Sequence, residues 1–154
     1  MEALATLNRL SDEELAVKAQ SGSSRFYFEE LVHRYSIRLF RYLRPRLTCN
    51  EDAEDIVQET FLKTYRNIHR YDDTYKFSTW LYTTATRLVI SLYRKRRDTE
   101  SPGLEMEAVP GEGDPQDILL QQEDARNLWL TAKKMKPAQY EALWLRYVEN
   151  MSLK

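Results

Sequence analysis

Residues 77 to 97 concentrate side chains able to hold nucleic acid. On a helical wheel, Thr79, Thr83, Thr86, Arg87, Ile90, Arg94 and Arg97 share one side, and Trp80 flanks it beside Thr83 and Arg87. Hydroxyls and guanidinium groups contact phosphates, and arginine also reaches base edges. Trp80, with Tyr82 and Tyr93 at the other edge, offers flat faces on which an unpaired base stacks at about 1–3 kcal/mol. Threonine is a poor helix former, so three on an exposed face cost helical stability. The set suits single-stranded or opening DNA better than closed duplex. The same aromatics would equally serve as the core of a small bundle. The run Arg94-Lys95-Arg96-Arg97 would equally complement the negative end of its own helix.

A second group occupies residues 52 to 69. Ala53, Ile56, Val57, Thr60, Phe61 and Ile68 fall on one side of the wheel; Asp55, Gln58, Glu59, Leu62 and Arg66 fall on the other. A leucine ringed by Gln58, Glu59 and Arg66 has the form of an apolar anchor with a polar rim, suited to a protein partner. Single exposed leucines are also ordinary, and Asp52, Glu54 and Asp55 would stabilise the positive start of their own helix. No nucleophile–base set is present. One cysteine, Cys49, excludes an internal disulfide and a cysteine-rich zinc site, and His33 and His69 stand apart. The expectation is a protein that is not an enzyme and carries no metal or other cofactor.

The elements that must position these residues are all helical. No alternating apolar–polar pattern persists and glycine is scarce. Ser11-Asp12-Glu13-Glu14 has the form of a capping box and predicts a helix to about Gln20. Ser24 can cap a helix from Arg25 to Leu43, with Phe28, Leu31, Val32, Tyr35, Leu39 and Tyr42 as its buried stripe and Pro45 as its stop. Thr48-Cys49-Asn50-Glu51 offers a second capping box, opening a helix from Glu51 to His69. Tyr71 to Lys76 reads as a polar loop before the helix from Phe77 to Arg97. Residues 98–117 hold three of five prolines and three of four glycines and read as a flexible acidic linker. As a coil of about 20 residues it would span about 25 Å. Helices from Ile118 to Met135 and from Pro137 onward should follow, the latter carrying Tyr140, Leu143, Trp144 and Tyr147. The expected organisation is therefore 1–97, linker 98–117, and 118–154.

Bulk properties set limits. No apolar run approaches the roughly 20 residues of a membrane span. Met1-Glu2-Ala3-Leu4 lacks the regions of a signal peptide, so a cytoplasmic protein is expected. The net charge of −1 hides an asymmetry: 17 basic against 13 acidic residues up to Arg97, then 6 against 11. Local charge is what bears on nucleic acid.

Taken together, Asp52-Ala53-Glu54-Asp55-Ile56-Val57-Gln58-Glu59-Thr60-Phe61, Phe77-Ser78-Thr79-Trp80-Leu81-Tyr82 and the basic helix end resemble region two of a bacterial RNA polymerase sigma factor of the extracytoplasmic-function (sigma-70, group four) type. The resemblance extends from about Phe28 to Arg97. A weaker one, Lys136-Pro137-Ala138-Gln139-Tyr140 and Leu145-Arg146-Tyr147-Val148-Glu149-Asn150-Met151-Ser152, is similar to the start of region four. Its helix-turn-helix would continue past Lys154, so region four is expected to be truncated. The resemblance implies that Asp55, Gln58, Glu59, Leu62 and Arg66 dock on the clamp helices of core polymerase. It implies that Trp80, Thr83, Thr86, Arg87, Arg94, Arg96 and Arg97 engage the promoter −10 element. The Tyr71–Lys76 loop, with Tyr75 and Lys76, would capture a flipped-out base. An anti-sigma factor that covers these surfaces is also implied. Arg87, where many relatives carry asparagine, and Ser91, where many carry aspartate, bear on the −10 sequence; Lys136 stands where leucine is usual.

Two functions follow. One is a promoter-specificity subunit that binds core polymerase and melts the −10 element. The other is a helical interaction module, derived from such a factor, that binds polymerase or a regulator without directing initiation. The aromatics beyond Asp117 would let that segment pack back on the first domain.

Overall fold

A computed structural model describes residues 2–21, 24–99 and 134–149. The described residues form α1 (Glu2–Arg9), α2 (Asp12–Ala19), α3 (Ser24–Leu43), α4 (Asn50–Arg66), α5 (Phe77–Thr99) and α6 (Pro137–Tyr147), with short 3-10 turns at Arg44–Arg46 and Ile68–Arg70. No strand occurs among them, in keeping with the all-helical expectation. The predicted helix from Ile118 to Met135 lies outside the described residues except for Lys134 and Met135, which form a turn and a bend rather than helix, and nearly all of the predicted linker lies outside them too.

Local chemistry explains most boundaries. The capping box at the start of α2 is formed: Ser11 Oγ accepts from the Glu14 amide at 3.1 Å, and Glu14 Oε2 accepts from the Ser11 amide at 2.7 Å. Pro45 closes α3 within the Arg44–Arg46 turn. The second predicted capping box does not form. Cys49 is the N-cap of α4 and makes no side-chain cap, while Thr48 turns its hydroxyl to Asp52 Oδ2 at 3.2 Å. A carboxylate one turn into the helix competes successfully for that hydroxyl.

Helix α1 was not among the predicted elements. At eight residues it is too short to stand alone. Arg34 of α3 holds it, donating to the Leu7 carbonyl at 2.8 Å and the Leu10 carbonyl at 3.0 Å while pairing with Asp12 at 2.8 Å and Glu30 at 2.9 Å. Tyr35 donates to the other Asp12 oxygen at 2.5 Å. This network ties α1, α2 and α3 together.

The core lies between α2, α3, α4 and α5. Leu15, Leu31, Leu39, Leu43, Phe77, Leu81, Tyr82 and Ala85 are all fully buried. Phe77 sits at its aromatic centre, with ring centroids 5.6 Å from Tyr35, 5.8 Å from Tyr71 and 6.1 Å from Trp80. Helix α6 packs across α5 and α3. Its Tyr140 ring lies 5.3 Å from Tyr42, and its Trp144 ring lies 5.4 Å from Tyr42 and 6.5 Å from Tyr82.

Candidate nucleic-acid and partner interfaces

Helix α4 divides as its residue types demand. Ala53, Ile56, Thr60 and Phe61 are buried, whereas Asp55, Gln58, Glu59, Leu62 and Arg66 are exposed. Leu62 is 53 % exposed in the middle of this polar set. The exposed Tyr65 adds a second apolar group one turn from Phe61, its ring 5.0 Å from Phe28. The five predicted partner residues therefore share one accessible face.

The loop before α5 is built by contacts from a distance. Gln20, at the end of α2, donates to the Ile68 carbonyl at 2.9 Å and the Tyr71 carbonyl at 2.7 Å. Tyr71 donates to the Tyr75 carbonyl at 2.6 Å, and Asp72 accepts from the Thr74 amide and hydroxyl at 2.9 and 2.8 Å. Burial pushes the Tyr71 phenol well above its ordinary range, so it stays a donor. Glu13 of α2 accepts from the Phe77 amide at 3.1 Å, placing a carboxylate at the positive end of α5. The result leaves Tyr75 (68 % exposed) and Lys76 facing solvent. Trp80 is half-buried and leans on Tyr71, centroids 5.4 Å apart and 34° between planes.

Along α5 the predicted nucleic-acid residues separate into two groups. Arg87, Arg94 and Arg97 are exposed. Arg96 is ion-paired with Asp52 of α4 at 2.7 Å. Burial alone would raise the Asp52 carboxyl. Hydrogen bonding and charge from Arg96, with the hydrogen bonds from Cys49 and Thr48, outweigh it and hold that carboxyl below its ordinary value. Arg96 thus pins the start of α4 to the end of α5.

Thr83 and Thr86 lie against α6 and α3 rather than on an open face. Thr83 donates to Glu141 Oε1 at 2.5 Å. Thr86 is buried, shares a 2.5 Å hydrogen bond with the Tyr42 hydroxyl and donates to the Tyr82 carbonyl at 2.9 Å. The wheel expectation of an outward Thr86 is corrected here: the bulky Tyr42 ring and α6 close over that side of the helix. Tyr82 is likewise fully buried; burial, opposed mainly by Arg38, pushes its phenol up to about 12, and it donates to Glu149 at 2.7 Å. Arg38 pairs with Glu149 as well.

Glu141 faces Thr83, Thr86 and Arg87. Burial raises its carboxyl above the ordinary value, against the lowering effect of all three neighbours. A raised value in the docked state means that docking takes up a proton. Docking of α6 is therefore strongest below the ordinary value of 4.5 and weakens as pH rises through the shifted one. Amide protection of residues 137–147, corrected for intrinsic exchange, should fall across that window in the parent chain. In Glu141→Gln the step should vanish, with the Arg38–Glu149 pair left in place; a step of unchanged size would assign it elsewhere.

Among the described residues, no helix is long and apolar enough to cross a membrane, and no three His, Cys, Asp or Glu side chains cluster to hold a metal.

Comparison with known proteins agrees with this geometry. Residues 31–99, which run from α3 to the end of α5, match the family model for Sigma-70 region 2. The chain is 30 % identical over 136 residues to the ECF RNA polymerase sigma factor SigW of Bacillus subtilis, covering 82 % of this chain and 73 % of SigW. It is 30 % identical over 145 residues to the ECF sigma factor BldN of Streptomyces coelicolor, covering 91 % of this chain and 54 % of BldN. The structure of CnrH in complex with the cytosolic domain of CnrY superposes with a TM-score of 0.59 at 25 % identity, over 92 % of this chain and 77 % of that one. With a region-two match running from α3 through α5 and 30 % identity to SigW along most of both chains, this protein belongs to the extracytoplasmic-function RNA polymerase sigma factors.

Proposed function

We propose that the chain acts in transcription initiation as a promoter-specificity subunit, with α4 docking on the clamp helices of core polymerase and α5 engaging and melting the −10 element. The observation that carries the reading is the separation of two faces. Asp55, Gln58, Glu59, Leu62 and Arg66 are exposed together on α4, while Tyr75, Lys76, Arg87, Arg94 and Arg97 are exposed on the loop and α5. The chain needs no catalytic group, because chemistry belongs to the polymerase, and it works in the cytoplasm. Residues 1–97 serve as the region-two unit. An anti-sigma factor, bound to this chain as the cytosolic domain of CnrY is bound to CnrH, would find its target on these same helices.

Trp80 tests the DNA assignment. Its half-buried ring, braced by Tyr71, is poised to stack on an unpaired base. Trp80→Ala should weaken binding to single-stranded −10 DNA by about 1–3 kcal/mol. Replacing Arg87, Arg94 and Arg97 by alanine should each flatten the salt dependence by about 0.7, the value per phosphate on single strands. Arg96→Ala should flatten it less, since its partner is Asp52. Equal slopes for all four variants and the parent would remove α5 from the DNA interface.

The second reading, an interaction module without initiation, is favoured by one observation: α6 covers Thr83 and Thr86. A chain that binds core polymerase but fails to initiate from any template with a premelted −10 region would establish it.

A further inference from the structure

We infer that the groove between α3 and α5 beneath α6 is a phosphate-binding surface centred on Arg46, and that α6 and the backbone of single-stranded DNA occupy it in mutual exclusion. This rests on the assignment of α5 to DNA and extends it to a residue on another element.

Arg46 lies in the turn after α3 and is only 8 % exposed. Its guanidinium lies 4.7 Å from the centre of the Tyr140 ring, and its Nη1 is buried with no hydrogen-bond partner among the described residues. A buried guanidinium is ordinarily satisfied by a carboxylate or a set of carbonyls, because an unmet charged donor is costly. Here it meets the face of an aromatic ring instead. Tyr42, Thr86, Val89 and Pro137 form the small cavity around it. The donor is held in place by its own backbone, whose carbonyl accepts from the Tyr93 hydroxyl. An acceptor with several oxygens, entering from the α6 side, would complete it.

Helix α6 itself supplies what a nucleic-acid strand would supply. Glu141 accepts from Thr83 and faces Thr86 and Arg87, as a phosphate would. Glu149 takes the hydrogen bond of Tyr82 and pairs with Arg38. Tyr140 lies under Arg46 and against Tyr42, where a base would stack. One carboxylate and one ring of α6, Glu141 and Tyr140, with a second carboxylate just past its end, Glu149, thus stand where phosphates and a base of a strand would stand. Two occupants that use the same hydroxyls and guanidinium groups cannot be bound at once, so undocking of α6 precedes full engagement of the groove.

The test uses the whole 154-residue chain and a fluorescein-labelled pool of single-stranded DNA of randomised sequence. Glu141→Gln combined with Trp144→Ala weakens α6 docking while every residue of α5 is kept. This variant should bind the pool about 10-fold more tightly than the parent, the gain expected when a competent state held at roughly a tenth becomes dominant. In that background Arg46→Ala should lose roughly 10-fold and flatten the salt slope by about 0.7, and Arg46→Lys should keep the slope. In the parent chain, adding DNA should lower amide protection over residues 137–147. Equal affinity with and without docked α6, together with protection unchanged by bound DNA, overturns the proposal. If Arg87→Ala weakens binding in the same experiment, only the α6 proposal has failed; if Arg87→Ala is also without effect, the α5 assignment has failed first.

Discussion

Alanine at both Gln58 and Leu62 should weaken binding to core RNA polymerase by about 2–4 kcal/mol, roughly 30- to 1,000-fold. The expectation follows from how α4 is divided. Its inner side is committed to the core through Ile56, Thr60 and Phe61, so the outer face is presented on a rigid element. Leu62, half-exposed amid Gln58, Glu59 and Arg66, is the apolar group such a face would bury, and the polar rim would exclude water around it. Neither side chain supports the fold, and exposed substitutions of this kind usually change stability by less than about 0.5 kcal/mol. Titration of labelled protein with core polymerase, with a thermal melt as control, measures the effect. Unchanged affinity would remove this face from the interface.

Phe77→Ala should lower unfolding stability by about 3–5 kcal/mol, the range for truncating a buried aromatic. That is a large part of the 5–15 kcal/mol typical of a domain. Phe77 is fully buried and touches Tyr35 of α3, Tyr71 of the loop and Trp80 of its own helix. The cavity would therefore open where three elements meet, and partial collapse would move Trp80 and the loop with it. Urea unfolding of the two proteins measures the loss. A change below about 1 kcal/mol would show that the aromatic cluster repacks around the gap.

How much of this was legible in the sequence differs from helix to helix. Helix α4 was legible because its apolar and polar residues segregate cleanly by period, and the exposure of each predicted partner residue agrees with the wheel. Helix α5 was legible as an element but not as a surface. Its wheel places Thr86 outward, yet side-chain direction says nothing of what lies alongside, and Tyr42 of α3 with α6 buries it. Helix α1 is amphipathic but covers only eight residues, too few for its period to announce a helix, and it is held by Arg34, which lies more than 20 residues away in sequence. The sequence marks Pro45 as a helix stop but gives no signal at Arg46, whose burial under Tyr140 depends on a contact across 94 positions. The packing of α6 on the first helices was anticipated from its aromatics, and Tyr140 and Trp144 are indeed buried. Long-range contacts, rather than local propensity, account for what was missed.

Helix α2 contributes no residue to either proposed interface, yet Gln20 at its end holds the carbonyls of Ile68 and Tyr71 and Glu13 caps Phe77. The loop proposed to capture a base is therefore held in register by residues 51 and 64 positions upstream of their partners. If the loop has the proposed role, promoter preference would in that sense be a two-locus trait. A drift at Gln20 or Glu13 would shift the aim of Tyr75 and Lys76 without altering any residue that meets DNA, so relatives with identical loops need not share a promoter alphabet.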